Sequence, residues 1–134
     1  MKANNTEKEQ IFCIIRQKYV TNTPEECVRQ NLLAYFINQM HYPQTLISVE
    51  AQIKVGKLNK RYDIVVYNKN LQPWLLVECK KNDVTLSQST VAQILAYNLT
   101  VQASYLLITN GSKSYCFSLK SQQQLQTLPQ HPNI

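Results

Sequence analysis

At 134 residues the chain has room for one hydrophobic core but not two. Apolar residues make up 44%, which excludes a disordered polymer, and no apolar run approaches the roughly 20 residues that span a bilayer. The formal charge of +6 suits an anionic partner without naming one.

The opening stretch, MKANNTEKEQ, is polar and lacks the apolar core of a signal peptide, so a cytoplasmic address is expected. Four cysteines (Cys13, Cys27, Cys79, Cys116) form no C-x-x-C pair, and only His41 and His131 accompany them. Reduced, mostly buried thiols are therefore expected, not a structural zinc site. The two glycines lie outside any phosphate-cradling loop, which excludes an ATP motor within this chain.

In chain order, residues 11–20 (IFCIIRQKYV) are β-branched and aromatic and predict a strand or short irregular segment. In TNTPEECVRQNLLAYFINQM, Thr23 is a good N-cap, Pro24 fits the first helical position, and Glu25 and Glu26 suit the positive end of the helix dipole. Val28, Leu32 and Phe36, with Leu33 and Met40, recur at helical spacing, and Pro43 bounds the helix. Three strands are predicted next, over 46–55, 61–68 and 73–80. Residues 87–101 read as a second helix with Val91, Ile94, Leu95 and Leu99 on one side. The stretch 104–119 predicts two strands joined through Asn110-Gly111. Beyond Ser121 the glutamine-rich tail is expected to fray, with QQQLQTL able to add a short helix. The division is an N-terminal segment (1–22), a core domain (23–120) and a polar tail (121–134). The element order predicts an α/β fold with a central sheet and helices on its faces.

One strand poses a chemical problem. WLLVECKK (74–81) runs four apolar residues straight into Glu78 and Lys80, and burying an unpaired charge costs several kcal/mol. Residues two apart share a strand face, so Glu78 and Lys80 look one way while Val77 and Cys79 fill the core. If a hairpin through 68–72 joins this strand to the preceding one, Asp63 and Glu78 come together near one end. Two carboxylates in one pocket favour a cation between them, and Mg²⁺ (or Mn²⁺) prefers oxygen ligands: Asp63, Glu78 and the Cys79 carbonyl. Lys80 would orient an attacking water or stabilise the transition state. The plainer reading is a strand-end Glu–Lys ion pair with Asp63 at a turn.

The set Asp63, Glu78 and Lys80 resembles the PD-(D/E)xK nuclease superfamily. TPEECVRQ, KRYDIVVYN, LLVECK, QILAYN and LLITNG, in this order, resemble the N-terminal endonuclease domain of the type I restriction enzyme motor subunit, including its stand-alone form. The resemblance runs from about Arg16 to Phe117. It implies a restriction-endonuclease-like mixed central β-sheet flanked by α-helices, with catalytic roles for Asp63, Glu78 and Lys80. The family's helix glutamate falls on the Glu25–Glu26 pair, with Glu26 the choice, and its Q-x-x-x-Y motif on Gln93 and Tyr97. These two are four apart, hence neighbours on a helix face, and can bond phosphate or a base edge. A tyrosine capping the core beside an incidental glutamine is the bland alternative.

Lys54, Lys57, Lys60 and Arg61 form a basic cluster that could follow a DNA backbone; Lys81 has the better position, next to Lys80. The resemblance further implies DNA as partner, restriction-modification or helicase subunits, no membrane, and a homodimer as one assembly open to such folds. In the full enzymes cleavage is coupled to a motor on the same chain, and that motor is missing here. A non-catalytic nucleic-acid- or protein-binding module is thus the competing expectation, as is a subunit active only beside a helicase or methyltransferase.

Overall fold

The computed structural model describes residues 9–133; most of the polar N-terminal stretch, residues 1–8, and residue 134 lie outside the described residues. Its elements are β1 (Gln10–Cys13), β2 (Lys18–Thr21), α1 (Pro24–Asn38), a 3-10 turn (Gln44–Leu46), β3 (Ile47–Val55), β4 (Leu58–Tyr67), β5 (Pro73–Cys79), α2 (Gln88–Tyr97), β6 (Tyr105–Thr109), β7 (Ser114–Ser118) and β8 (Gln124–Leu125). β3 to β8 form one six-stranded sheet in chain order. Every neighbouring pair is antiparallel except β5 and β6, which run parallel with α2 between them in the chain. This is the central sheet with flanking helices that the element order predicts, and it is mixed, as the resemblance implies. Among the described residues no helix is long and apolar enough to cross a membrane.

The helix ends follow local chemistry. Thr23 accepts the Glu26 N–H at 3.1 Å and Pro24 occupies the first turn of α1. Ser87 accepts the Thr90 N–H in the same way, and α2 stops at Tyr97, short of the expected Val101. Asn98 ends it by donating its side-chain amide to the Ile94 carbonyl at 2.8 Å.

The sheet separates two apolar layers. Val28, Leu33 and Phe36 of α1 meet Ile64, Val66, Leu75, Val77 and Cys79; Val91 of α2 meets Val65, Leu76, Leu106 and Ile108. Alternate residues of β5 therefore serve opposite layers, which is why it reads as an unbroken apolar run. Each such side chain contributes about 1.5–3 kcal/mol by its burial.

The β3–β4 hairpin changes face partway along. Ile47, Val49, Ile64 and Val66 belong to the α1 layer, whereas Ala51, Ile53, Val55 and Tyr62 belong to the α2 layer. The change falls at Glu50, whose φ of +56° is left-handed, and Glu50 lies across from Asp63. A left-handed non-glycine residue costs on the order of 1–3 kcal/mol and persists only when its surroundings hold it.

Both ends of the described chain are stitched to the core. Residues 11–20 form a hairpin instead of one strand, with Cys13 buried and Ile15 and Val20 packed on the α1 layer. The tail does not fray and adds no helix, because Gln124–Leu125 pairs with β7. Past it, the Tyr42 hydroxyl donates to the Pro129 carbonyl at 2.7 Å, and His131 packs on Tyr42 and Trp74, with Nε2 2.9 Å from the Tyr67 carbonyl. These aromatic surfaces lie far from the tail in sequence, so the polar tail carries no pattern that announces the contact. All four cysteines are free thiols, three of them buried.

Candidate active site

Antiparallel pairing of Ile64 with Val77 makes Asp63 and Glu78 the next residues along the two strands, at the end of β5. The Asp63 carboxylate leaves the ladder line and accepts the Cys79 N–H at 2.6 Å. Because N–H and C=O of one strand residue point to the same neighbour, the Cys79 carbonyl is turned toward β4 as well. Val77 and Cys79 fill the α1 layer, and Glu78 faces the α2 side, as the alternation of the strand requires.

Burial pushes the Glu78 carboxyl pKa up, the Lys80 charge pulls it down and the Asp63 charge pushes it further up, for a net rise. Lys80 is half-buried and its N–H donates to the Thr109 carbonyl at 2.8 Å, which ties the exit of β5 to β6. Lys81 is exposed in the following loop.

On the α1 side the acids are held by arginines. The Glu26 carboxylate accepts from Arg16 at 2.6 Å and from Gln30 at 2.9 Å, and lies 3.8 Å from Arg29. Burial alone would push its pKa up, but the Arg16 and Gln30 hydrogen bonds and the Arg29 charge bring it below the ordinary value. Arg29 is 7% exposed, lies 3.5 Å from Asp63 and 3.6 Å from Glu50, and leaves Nε and Nη1 without hydrogen-bond partners. Glu50 also binds Arg16 at 3.1 Å and Arg61 at 2.7 Å. Arg61 is thus engaged in an ion pair, and Glu26 reaches Asp63 only through Arg29.

On the α2 side Gln93 and Tyr97 are both exposed. Lys60 is buried: it donates to the Tyr97 carbonyl, and its ammonium sits 3.9 Å from the centre of the Tyr97 ring. It is removed from the exposed basic cluster expected of 54–61, because its stem lies under the end of α2. Lys54, Lys57 and Arg61 remain at the surface. Among the described residues no three His, Cys, Asp or Glu side chains form a metal-binding group.

Sequence reasoning missed Arg16, Arg29, Glu50 and Asn98. A signal existed for Arg29: it shares the buried stripe of α1 with Glu26, Leu33 and Phe36, and a charge there needs a partner. Glu50 and Arg16 carry none, because their association is wholly tertiary.

A two-layered mixed sheet of this kind is a nuclease-like fold. The crystal structure of a candidate nuclease of the DUF820 group from Anabaena variabilis ATCC 29413 shares it, with a TM-score of 0.52 and 15% identity. That match covers 90% of this chain and 76% of the other. The family described as type I restriction enzyme R protein N terminus (HSDR_N) matches residues 24–132, and the chain belongs to it. No curated protein matches.

Proposed function

We propose that this chain is a metal-dependent endonuclease-like domain that hydrolyses DNA phosphodiester bonds. The observation that carries the reading is the adjacency of Asp63 and Glu78 across β4 and β5, with Lys80 two residues further on. Membership of a restriction-enzyme R-protein family supports DNA as substrate and a restriction-modification assembly as context.

The donor chemistry fits a hard divalent ion. Two carboxylates share one strand end, the Glu78 pKa is raised partly by Asp63, and the Cys79 carbonyl is turned to the same side. Asp63, Glu78 and the Cys79 carbonyl would hold Mg²⁺ or Mn²⁺, which when bound lowers the pKa of a coordinated water and offsets phosphoryl charge. Lys80 supplies an ammonium beside the acids to orient the nucleophile or stabilise the anionic transition state. Gln93 and Tyr97, exposed on α2, offer an amide and a phenol to the substrate, while Lys81 and Arg61 offer cations to the phosphate backbone. Glu26 acts indirectly, by orienting Arg29 against Asp63.

One observation favours a second reading. The Asp63 oxygens already face the Cys79 N–H and the Arg29 guanidinium, an arrangement that also suits a DNA-binding module without catalysis. The test incubates the protein with linear and circular DNA plus Mg²⁺ or Mn²⁺. Cleavage is expected, with losses of about 100-fold or more in folded Asp63→Ala and Lys80→Ala. Equal cleavage by both variants refutes the proposed site. Salt-sensitive DNA binding without cleavage, and no rise in melting temperature with Mn²⁺, establishes the second reading.

A further inference from the structure

The two oxygens of Asp63 are engaged differently. Oδ2 accepts the Cys79 N–H at 2.6 Å, while Oδ1 faces the Arg29 guanidinium at 3.5 Å. Oδ1 is therefore the freer oxygen for a further ligand, and a cation of the chain itself already stands before it.

The ion pairs among the described residues form one network, which joins Arg16, Arg29 and Arg61 to Glu26, Glu50 and Asp63. Three guanidinium groups meet three carboxylates, so on this side the acids are neutralised from within. Arg16 and Arg61 make hydrogen-bonded pairs at 2.6 to 3.1 Å. Arg29 is held more loosely. Its approaches are 3.5 to 3.8 Å, and its buried Nε and Nη1 have no hydrogen-bond partner among the described residues. Charge and enclosure keep it in place, and of the three arginines it is the one that reaches Asp63.

We propose that Arg29 is the built-in counter-ion of Asp63 and opposes a metal there. The inference rests on the reading of Asp63 as a metal-holding residue. A carboxylate drawn out of water needs a positive neighbour, and Arg29 meets that need without an external ion. A divalent ion taking Oδ1 would share one carboxylate with the guanidinium, and like charges so placed repel. Arg29 thus positions Asp63 in the metal-free protein and weakens its hold on the metal.

The test uses the whole chain, with circular dichroism confirming that each variant folds. In Mn²⁺ calorimetry, Arg29→Met and Arg29→Gln should bind about tenfold or more tighter than wild type, and Arg29→Lys, which keeps the charge, within about threefold of it. The gain should vanish when Asp63→Asn is added to Arg29→Met. Unchanged or weaker affinity in both neutral variants overturns the proposal, and so does an equal gain in Arg29→Lys. Without metal, about 20 mM guanidinium chloride, set against the same sodium chloride, should raise the melting temperature of Arg29→Ala and leave wild type unmoved. Adding Asp63→Asn should shrink that rescue. No rescue, or equal rescue without the Asp63 carboxylate, overturns the proposal whether or not metal binds. If no variant binds Mn²⁺, or Asp63→Asn binds it as well as wild type, the metal reading itself falls and the opposition to metal falls with it. The guanidinium result then still decides whether Arg29 is the counter-ion of Asp63.

Discussion

Removing Arg29 isolates what the buried guanidinium does for Asp63. At 3.5 to 3.8 Å and an effective dielectric of about 20, each of its ion pairs is worth roughly 4–5 kcal/mol before desolvation. Against this stand two guanidinium nitrogens without hydrogen bonds, each costing about 1–3 kcal/mol. In Arg29→Met the carboxylates do not suffer equally. Glu26 keeps Arg16 and Gln30, and Glu50 keeps Arg16 and Arg61, but Asp63 keeps only the Cys79 N–H. The expected loss is therefore about 2–3 kcal/mol, below the 3–5 typical of orphaning a buried charge, and it should centre on Asp63. In an Asp63→Asn background the same substitution should cost at least about 1 kcal/mol less. Urea unfolding followed by circular dichroism measures these four proteins and the matching cycle with Glu26→Gln, with unchanged slopes required for comparison. Equal costs in the two backgrounds, or coupling to Glu26→Gln instead, would refute the assignment of Arg29 to Asp63.

Two further outcomes follow from groups near the site. Glu78 has a folded-state pKa above its unfolded value, so it binds more protons when folded, and its contribution to stability falls as pH rises from about 4.5 through that folded pKa. Glu78→Gln should remove this decline and raise the melting temperature at neutral pH; a melting profile with unchanged pH dependence contradicts it. Gly111 has φ +92°, and an added Cβ would lie 3.1 Å from the Asn82 amide and 3.3 Å from Val28. Gly111→Ala should cost about 1–2 kcal/mol in urea unfolding, whereas a neutral result would mean that the β6–β7 turn adapts freely.

What the amino-acid order disclosed about this fold is mostly local. Thr23-Pro24 marks a helix start because capping is satisfied within four residues. Asn110 and Gly111 mark the β6–β7 turn because left-handed backbone favours glycine. The adjacency of Asp63 and Glu78 was legible too, because a short turn between two apolar runs sets an antiparallel register. Charges whose partners lie far off in sequence were not. Lys60 reads as another lysine of an exposed turn, and only the packing of α2 over β4 buries it. Glu50 reads as one member of an alternating strand, yet three arginines from three separate segments meet it at the reversal.

That reversal bears on the open rim of the sheet. β3 is one of the two edge strands of the sheet, nine residues long, and among the described residues no strand pairs with its outer side. An uninterrupted rim of this length would template a second copy, and open edges are where β-proteins aggregate. The left-handed kink at Glu50 divides the rim into two short runs aimed in different directions, and the charged Lys54 sits within the second. A neighbouring chain could follow one run or the other, but a straight strand could not lie along both.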